Sequence, residues 1–233
     1  MPAQRIRVEF TKGETARFIS HLDVLRYWER VIRRAGLPLS YSQGFTPHPK
    51  ITFAGPLPLG FTAAAEVMDF QLEERRDAGE VERELAAQSS PDMKAVTVRE
   101  VPLNALALQA ALSWADYEVT TSGLPGVEAA VADFMALESF EWTELRKEKE
   151  RRYDLRAGVA RASVTRLEGD ACLLALRLAA NQDFTVRPEQ VLEALLPGAE
   201  AILFHRAGLS LREHSPARLA WRRRGQYLDE RPR

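Results

Sequence analysis

The residues best suited to chemistry lie between positions 18 and 60, a stretch with two of the four histidines, His21 and His48. An imidazole can transfer protons near neutral pH or bind a metal ion. His21, Asp23 and His48 are all permitted metal ligands, but they do not form a tight spacing motif. We therefore expect no metal site, and we interpret this stretch as a binding surface.

A basic helix dominates the first part of this stretch. At about 100° per residue, apolar residues from Val24 to Ala35 fall on one arc of a helix that begins near His21. The opposite arc holds four arginines, Arg26, Arg30, Arg33 and Arg34. We expect this ridge to contact phosphates, and the alternative is a solvated amphipathic helix. His21 lies near the apolar arc, so a buried structural imidazole is the alternative to a functional one.

Both ends of the helix carry recognisable signals. Ser20, with Asp23 three positions later, resembles a capping box, which satisfies free backbone N–H groups at a helix start. Gly36 is typical of a helix end, and Pro38 prevents continuation. The sequence therefore predicts a helix from about residue 21 to residue 35.

A loop rich in glycine and proline follows the helix. The two prolines fix their own φ and restrict the residues before them, so the loop has little freedom to lose on binding. We expect it to be a binding loop, and the alternative is a plain hairpin connection. Its candidate residues are Tyr41, Gln43, Gly44, Phe45, Pro47, His48 and Pro49, and Lys50 follows as a further phosphate contact.

Composition indicates a globular protein with charge segregated along the chain. Of 233 residues, 45% are hydrophobic, which is enough for a sizeable core. Residues 1–60 hold 9 Lys/Arg against 4 Asp/Glu, residues 61–150 hold 8 against 19, and residues 151–233 hold 15 against 10. Such blocks can serve different partners, unless folding intermixes them.

Cysteine usage and hydropathy limit the possible classes. Cys172 is the one cysteine and lies in an apolar run, so we expect it to be buried and expect no iron–sulfur, zinc or other cofactor site. Apolar stretches are too short for a membrane span, and the N-terminus lacks the apolar segment of a signal peptide. We therefore expect a cytoplasmic protein without membrane contact.

Two halves of the chain show the same order of predicted elements. The first has strands at 5–10, 37–42, 51–54, 66–73 and 93–101, with helices from 21 and at 78–88. The second has strands at 117–121, 140–145, 162–166, 171–179 and 201–205, with helices at 127–137 and from 188. We interpret this order as α+β, a tandem ferredoxin-like (βαββαβ) duplication with antiparallel sheets.

This interpretation gives domains at 1–105 and 113–212, followed by a basic tail at 213–233. Residues 144–156 mix both charge signs and are expected to be a solvated helix or a strand extension. The tail places arginines beside Trp221 and Tyr227, which suits backbone neutralisation with base stacking and also fits a floppy terminus.

Three segments together resemble the bacterial family of radical-SAM-linked proteins. They are Arg17 to Asp23, Arg33 to Pro38, and Tyr41 to Lys50. The resemblance is dense over residues 5–75 and implies a partner, a cobalamin-type radical SAM protein, but no activity, since the family's function is not established. Thr46 stands where many members have Asn.

The first strand, the Ser-His-Leu-Asp helix start and the basic helix also resemble CRISPR repeat-processing RAMP endonucleases. That resemblance implies tandem ferredoxin-like RNA-binding domains. It also implies a general acid or base role for His21, with Lys50 or Arg26 stabilising a phosphorane. In place of the glycine-rich loop that those enzymes carry near the C-terminus, this chain has only the short Arg206-Ala207-Gly208-Leu209.

The sequence therefore predicts a cytoplasmic accessory protein of a radical SAM enzyme that binds RNA or another phosphate-bearing substrate. One alternative is a metal-independent endoribonuclease of the RAMP type. Another is a protein-docking module that presents the glycine- and proline-rich loop to the radical SAM partner.

Overall fold

The computed structural model describes residues 2–122, 125–146, 149–168 and 171–212. In the first half, these residues follow the order strand, helix, strand, strand, helix, strand. The elements are β1 Gln4–Lys12, α1 His21–Arg34, β2 Ile51–Phe53, β3 Phe61–Leu72, α2 Ala78–Gln88 and β4 Ala95–Val101. A short helix, α3 Leu108–Ala111, lies in the connection to the second half.

The second half has the same order of elements with an inserted hairpin, which is formed by β6 and β7. Its elements are β5 Leu112–Ser122, α4 Val127–Ala136, β6 Glu141–Arg146, β7 Lys149–Asp154, β8 Val159–Arg166, β9 Ala171–Ala179, α5 Pro188–Leu195 and β10 Ala201–Leu211. The hairpin is a separate two-stranded sheet. The charged stretch 144–156 is thus mostly strand. Of the two expectations for it, a solvated helix or a strand extension, the strand is the one observed.

A mixed α+β fold results, built on one large sheet. Its strands lie in the order β4-β1-β3-β10-β5-β9-β8, and β2 pairs with β3. Within each half, the fourth strand lies beside the first, and the first lies beside the third. Every described strand pair is antiparallel except that of β3 and β10.

The predicted antiparallel arrangement holds for most of the sheet, and the exception is that β3 and β10 join the two halves as parallel neighbours. The pairing is short and runs from Phe61 and Phe204 to Ala63 and Arg206. It arises because β3 begins earlier than the predicted 66–73. The short β2 covers only residues 68–70 of β3, so the edge at 61–63 is left for β10.

Side chains close this junction of β3 and β10. The rings of Phe61 and Phe204 stack with centroids 4.7 Å apart, and Thr62 Oγ1 lies 2.8 Å from His205 Nδ1. Offset or stacked aromatic pairs add stabilisation beyond the area they bury. The junction therefore holds the two halves together through packing as well as through the backbone.

A predicted strand at 37–42 is absent from the described structure. Leu39 forms an isolated bridge with Leu72, and Tyr41 forms another with Pro49. Pro38 has no N–H to donate, and Gly36 before it has a left-handed φ of 68°. A continuous ladder therefore does not develop in this segment.

Both hydrophobic cores lie on the same face of the sheet. Phe10 belongs to the core beneath α1 and α2, and Tyr117 belongs to the core beneath α4 and α5. Glu66 lies opposite Phe10, and Arg206 lies opposite Tyr117. Directly opposed residues point to the same face, and Glu66 contacts Arg206, so all four residues share one face. Cys172 is buried in the second core, as predicted.

The other face of the first half carries a buried charge cluster. Asp69 accepts hydrogen bonds from Arg5 Nε at 2.7 Å and from Arg7 Nε at 2.8 Å. Arg5 also donates to the carbonyls of Ala105 and Leu106 at 2.8 and 2.9 Å. The cluster thus fastens the connection between the halves onto β1.

In the described ranges, we find no helix that is both long enough and apolar enough to cross a lipid bilayer.

Replacing Asp69 with Asn should destabilise the fold strongly. The substitution leaves two buried guanidinium groups without their carboxylate, and breaking a buried ion pair costs about 3–5 kcal/mol. Urea unfolding would measure this loss. Glu82→Gln, an exposed change on α2, serves as control and should stay within about 0.5 kcal/mol of wild type. Equal stabilities for the two variants would contradict the role given to Asp69.

Candidate functional site

Helix α1 begins and ends where the sequence predicts. Ser20 is the N-cap, and its hydroxyl oxygen accepts a hydrogen bond from Asp23 N at 3.2 Å. At the other end, Gly36 N donates to Arg33 O and Leu37 N donates to Ile32 O, which is the Schellman arrangement. Ser20 and Asp23 are therefore explained by helix capping.

The ridge of arginines on α1 is exposed, as predicted. Arg26 pairs with Asp23 at 3.1 Å, and Arg34 Nη2 donates to Gln88 O at 3.1 Å. Arg30 and Arg33 are exposed, and neither has an ion pair with a carboxylate in the described part of the chain. Two guanidinium groups are thus available for a phosphate without breaking an existing ion pair.

The glycine- and proline-rich loop, residues 42–50, is a closed hairpin. Ser42 N donates to His48 O at 2.9 Å, and His48 N donates back to Ser42 Oγ at 2.9 Å. Gly44 at the tip has a φ of 132°, a conformation that favours glycine. Phe45 beside it is fully exposed. The loop therefore projects one aromatic ring into solvent from a fixed base.

Tyr41 connects this loop to the helix. Its hydroxyl donates to Glu29 Oε1 of α1 at 3.1 Å. Burial and this contact raise the pKa of Tyr41, so the hydroxyl remains a donor. Lys50 N donates to Ser40 O at 2.9 Å, and Lys50 is half-buried. We call the exposed arginines of α1 together with residues 42–50 the α1–loop surface.

His21 lies beside this surface, at the start of α1. It is exposed, not buried, and its ring meets the Phe53 ring edge-on at 5.1 Å. It lines a small pocket with Lys12 and Glu66. Burial lowers the pKa of His21, Glu66 raises it, and Lys12 lowers it further. The charges acting on His21 are thus those of Glu66 and Lys12, whereas Arg26 pairs with Asp23.

A row of four ionisable residues crosses the centre of the sheet on the face that carries the cores. We call it the polar row, and its members lie on neighbouring strands: Lys12 on β1, Glu66 on β3, Arg206 on β10 and Tyr117 on β5. All four are at most 8% exposed. Buried ionisable side chains are rare unless they are paired, and they are concentrated at functional sites.

The ion pair between Glu66 and Arg206 is the centre of the polar row. Arg206 Nε donates to Glu66 Oε1 at 2.6 Å, and Nη2 contacts Oε2. Arg206 Nη2 also donates to Gly55 O at 3.2 Å. Burial opposes the charge of Arg206, but the Glu66 carboxylate raises the pKa of the guanidinium above its ordinary value. The Arg206 guanidinium therefore stays charged at neutral pH.

Lys12 and Tyr117 occupy the two ends of the polar row. Lys12 Nζ donates to the carbonyls of Arg17 and Ile19 at 3.1 and 3.2 Å, and burial lowers its pKa. Burial raises the pKa of Tyr117, although Arg206 partly opposes this shift. The Tyr117 hydroxyl therefore stays protonated.

A cleft of about 780 Å³ opens at the Tyr117 end of the polar row. We call it the central cleft. It is bounded by residues 54–58, by the hairpin of β6 and β7, and by residues 180–188, and Tyr117 and Arg206 line it. Gly55 lines both the cleft and the His21 pocket. The two cavities therefore adjoin at this glycine.

A family model described as an uncharacterized protein conserved in bacteria (DUF2344) matches residues 5–188. The chain belongs to this family. The α1–loop surface lies within the matched region, and so do all members of the polar row except Arg206. No curated protein matches the chain.

Solved structures give weaker likenesses. A chain of a Cbf5-Nop10-Gar1 complex matches with a TM-score of 0.47 and 14% identity, over 88% of this chain and 48% of that chain. A chain of the archaeal box H/ACA sRNP Nop10-Cbf5 complex matches with a TM-score of 0.45 and 12% identity, over 89% and 48%. An unknown protein from Galdieria sulphuraria matches with a TM-score of 0.26 and 10% identity, over 89% and 98%.

This member of the DUF2344 family thus spans about half the length of the two complex chains that it matches. At TM-scores this low, the likeness does not bear on function.

The central cleft and the polar row were not predicted from the sequence, although the sequence contains one sign of a buried ion pair. Glu66 shares the apolar face of its strand with Met68, Phe70 and Leu72, and a carboxylate at such a position indicates a buried partner. Arg206 and Tyr117 carry no comparable signal, because their pairing depends on the junction of the two halves.

In the part of the chain that the structure describes, no group of three or more His, Cys, Asp or Glu side chains is placed to hold a metal ion. The basic tail at 213–233, with Trp221 and Tyr227, lies outside the described residues.

The pKa of His21 should lie below the ordinary value of 6.5. Between that lowered pKa and 6.5, the unfolded chain binds more protons at this position, so the free energy of unfolding should rise with pH across this window. Above about pH 6.5 the contribution is fully present. NMR titration of the imidazole ring would measure the pKa.

Lys12→Met should raise the pKa of His21, because it removes a nearby positive charge. His48→Gln, which changes the histidine on the loop, should leave it unchanged. A pKa of His21 at or above 6.5 in the wild-type protein would show that the pocket does not act on this imidazole as described.

Proposed function

We propose that this protein binds RNA, or another phosphate-bearing substrate, on the α1–loop surface, and that it is a cytoplasmic accessory protein of a cobalamin-type radical SAM enzyme. The observation that carries the proposal is the fully exposed ring of Phe45 on a loop closed by reciprocal hydrogen bonds. Exposed aromatic rings together with exposed cations are the combination that binds single strands.

Each part of this surface suits a different part of a nucleic acid. Phosphates are neutralised by cations, and Arg30 and Arg33 are exposed without a carboxylate partner in the described residues. Bases stack on exposed rings, and Phe45 provides one. The loop is already closed, so little conformational entropy is lost when a ligand orders it.

A second exposed ring lies at the start of α1. Phe18 is 69% exposed, and the Arg17 guanidinium lies 4.7 Å from its ring centroid. Arginine over an aromatic face is a cation–π arrangement that also occurs in single-strand binding. The pair extends the proposed surface towards His21.

The radical SAM partner is supported by the resemblance of the segments from Arg17 to Asp23, Arg33 to Pro38, and Tyr41 to Lys50. Iron–sulfur clusters are held by several cysteine thiolates, and Cys172, the one cysteine of this sequence, is buried. In this proposal the cluster and the radical chemistry belong to the partner, and this protein contributes substrate binding.

We also propose that the chain is a tandem ferredoxin-like duplication, with halves at 1–105 and 113–212. The support is the shared strand order, in which β4-β1-β3-β2 in the first half corresponds to β10-β5-β9-β8 in the second. Two helices cover the same face in each half. The β6–β7 hairpin is then an insertion in the second copy.

RNA affinity should fall steeply with salt if α1 neutralises phosphates. Each lost phosphate contact flattens the slope of log K against log salt by roughly 0.7 for single strands. Arg30→Ala should therefore reduce the slope by about that amount, as measured by fluorescence anisotropy with a single-stranded RNA oligomer over a salt series.

Arg161→Ala provides the matched control, because Arg161 is also exposed but lies on β8 at the far end of the sheet. It should leave the slope unchanged. Equal slopes for wild type and Arg30→Ala, or no RNA binding at low salt, would contradict the proposal that α1 binds phosphates.

Phe45→Ala should weaken RNA binding by about 1–3 kcal/mol, the usual loss for one stacked base. The fold should be unaffected, because the ring is fully exposed. Leu103→Ala, another exposed apolar side chain, is the control and should not change affinity. The same variants should be tested for binding to the radical SAM enzyme.

The outcome separates RNA binding from protein docking. Loss of RNA affinity with an intact protein complex supports the proposed role of the loop. Loss of the protein complex with unchanged RNA affinity favours the docking module instead. No effect on either interaction would show that the loop is not the working surface.

A further inference from the structure

We propose that the central cleft is a nucleotide-binding site, with the base on the floor formed by Arg206 and Tyr117 and the phosphate at the rim near Arg151 and Arg187. The site is separate from the α1–loop surface, and its geometry does not depend on RNA binding there. Its volume of about 780 Å³ lies within the range of small-molecule sites.

The floor suits an uncharged polar group. Arg206 uses Nε and Nη2 on Glu66, Nη1 has a long contact of 3.5 Å with Pro56 O, and the guanidinium also hydrogen-bonds the Tyr117 side chain. The guanidinium charge is compensated by Glu66, and Nη1 is the nitrogen with the longest contact to a protein carbonyl. Its N–H groups favour a carbonyl oxygen over a second carboxylate, because a further anion would lie close to Glu66.

Tyr117 completes the floor. Its hydroxyl can donate and accept one hydrogen bond each, and burial keeps it protonated. Heterocyclic bases carry carbonyl and ring-nitrogen acceptors beside N–H donors on one edge. The floor therefore offers the mixture of donors and acceptors that a base edge requires.

The walls of the cleft combine apolar and polar residues. Pro56, Leu112 and Val186 line it, and so do Gln109, Asn181 and Gln190. Ligand pockets join apolar surface to a few convergent polar groups. A flat, weakly polar ring would bury its faces here, whereas a highly charged group would lose its hydration without compensation.

Two exposed arginines lie at the rim, which also holds the carboxylates of Glu144 and Asp183. Arg187 pairs with Glu144 at 2.9 Å, and its side chain is 57% exposed. Arg151 is exposed, its guanidinium lies 5.4 Å from the Tyr153 ring centroid, and it has no ion pair in the described residues. A phosphate at this level would stay partly hydrated and would gain a guanidinium partner.

The difference between floor and rim selects the ligand class. A dicarboxylate would place one anion against the compensated Arg206 pair, and an apolar ligand would leave the floor donors unpaired. A nucleotide places its uncharged edge at the floor and its charge at the rim. The same chemistry is offered by a free mononucleotide and by an unstacked nucleotide of a bound RNA.

The β6–β7 hairpin offers a matched pair of variants for the test. Arg151 lines the cleft, whereas the adjacent Arg152 pairs with Glu150 at 2.9 Å and is absent from the lining. Arg151→Ala and Arg152→Ala remove the same charge from the same strand. Any difference between them reports on position and not on net charge.

Isothermal titration calorimetry with uridine and adenosine monophosphates, and with the corresponding nucleosides, tests the assignment. Arg151→Ala should weaken nucleotide binding about tenfold, a typical effect of one charge-assisted contact, and should leave nucleoside binding unchanged. Tyr117→Phe, which keeps the ring, should weaken nucleotides and nucleosides by the same factor. Arg152→Ala should change neither.

A parallel titration with a single-stranded RNA oligomer identifies the source of the nucleotide. Sensitivity of mononucleotide binding to Arg151→Ala supports a free ligand, and sensitivity of oligomer binding alone supports an unstacked nucleotide of RNA. If Arg151→Ala and Tyr117→Phe change neither, the proposal is overturned. Arg30→Ala should not affect mononucleotide binding, so failure here is distinct from failure of the α1–loop surface.

Discussion

The ion pair between Glu66 and Arg206 is the contact on which the rest of this molecule depends. Its two members come from different halves of the chain and are at most 4% exposed. Removing either one leaves an uncompensated charge inside the protein, which costs about 3–5 kcal/mol. The pair also forms the floor of the central cleft. Its carboxylate, Glu66, acts to raise the pKa of Lys12 and of His21. The stability of the fold and the geometry of the central cleft therefore depend on the same ion pair.

The helices on one face of the sheet leave a gap above this ion pair, and the gap explains where cavities occur. Helices α1 and α2 cover the first core, while α4 and α5 cover the second. Between them lie residues 54–58 and the β6–β7 hairpin, which bound the central cleft. On the opposite face, near the connection, α3 packs Leu108 against Val67 and Ala54. The central cleft therefore opens on the face that carries the two cores.

Much of the local structure was predictable because it depends on short-range rules. Helix α2 has the predicted bounds, and Ser20 and Gly36 mark the ends of α1 because capping is decided by residues within one turn. The exposure of the arginine ridge follows in the same way from helical periodicity. The mixed α+β class with a largely antiparallel sheet also follows from alternation along the strands.

The site at the junction was not predictable in the same way. The parallel pairing of β3 with β10 depends on how far each strand extends, and strand ends are weakly marked in the sequence. Without that pairing, Glu66 lacks its guanidinium partner, and the guanidinium of Arg206 lacks the carboxylate that compensates its burial. The surroundings of His21 also depend on distant parts of the chain, since Lys12 of β1, Phe53 of β2 and Glu66 of β3 line its pocket. Long-range contacts set this environment.

The short pairing of β3 with β10 also affects how the chain acquires its structure. Glu66 and Arg206 are 140 positions apart in the chain, so their meeting requires the closure of a very long loop. The entropy of such closure rises slowly with length, but contacts of this separation slow folding. Each half can form its own hairpins and helices first, and the junction is then the docking step. Until it occurs, β3 has an unpaired edge at Phe61 to Ala63, where a second chain can pair by mistake.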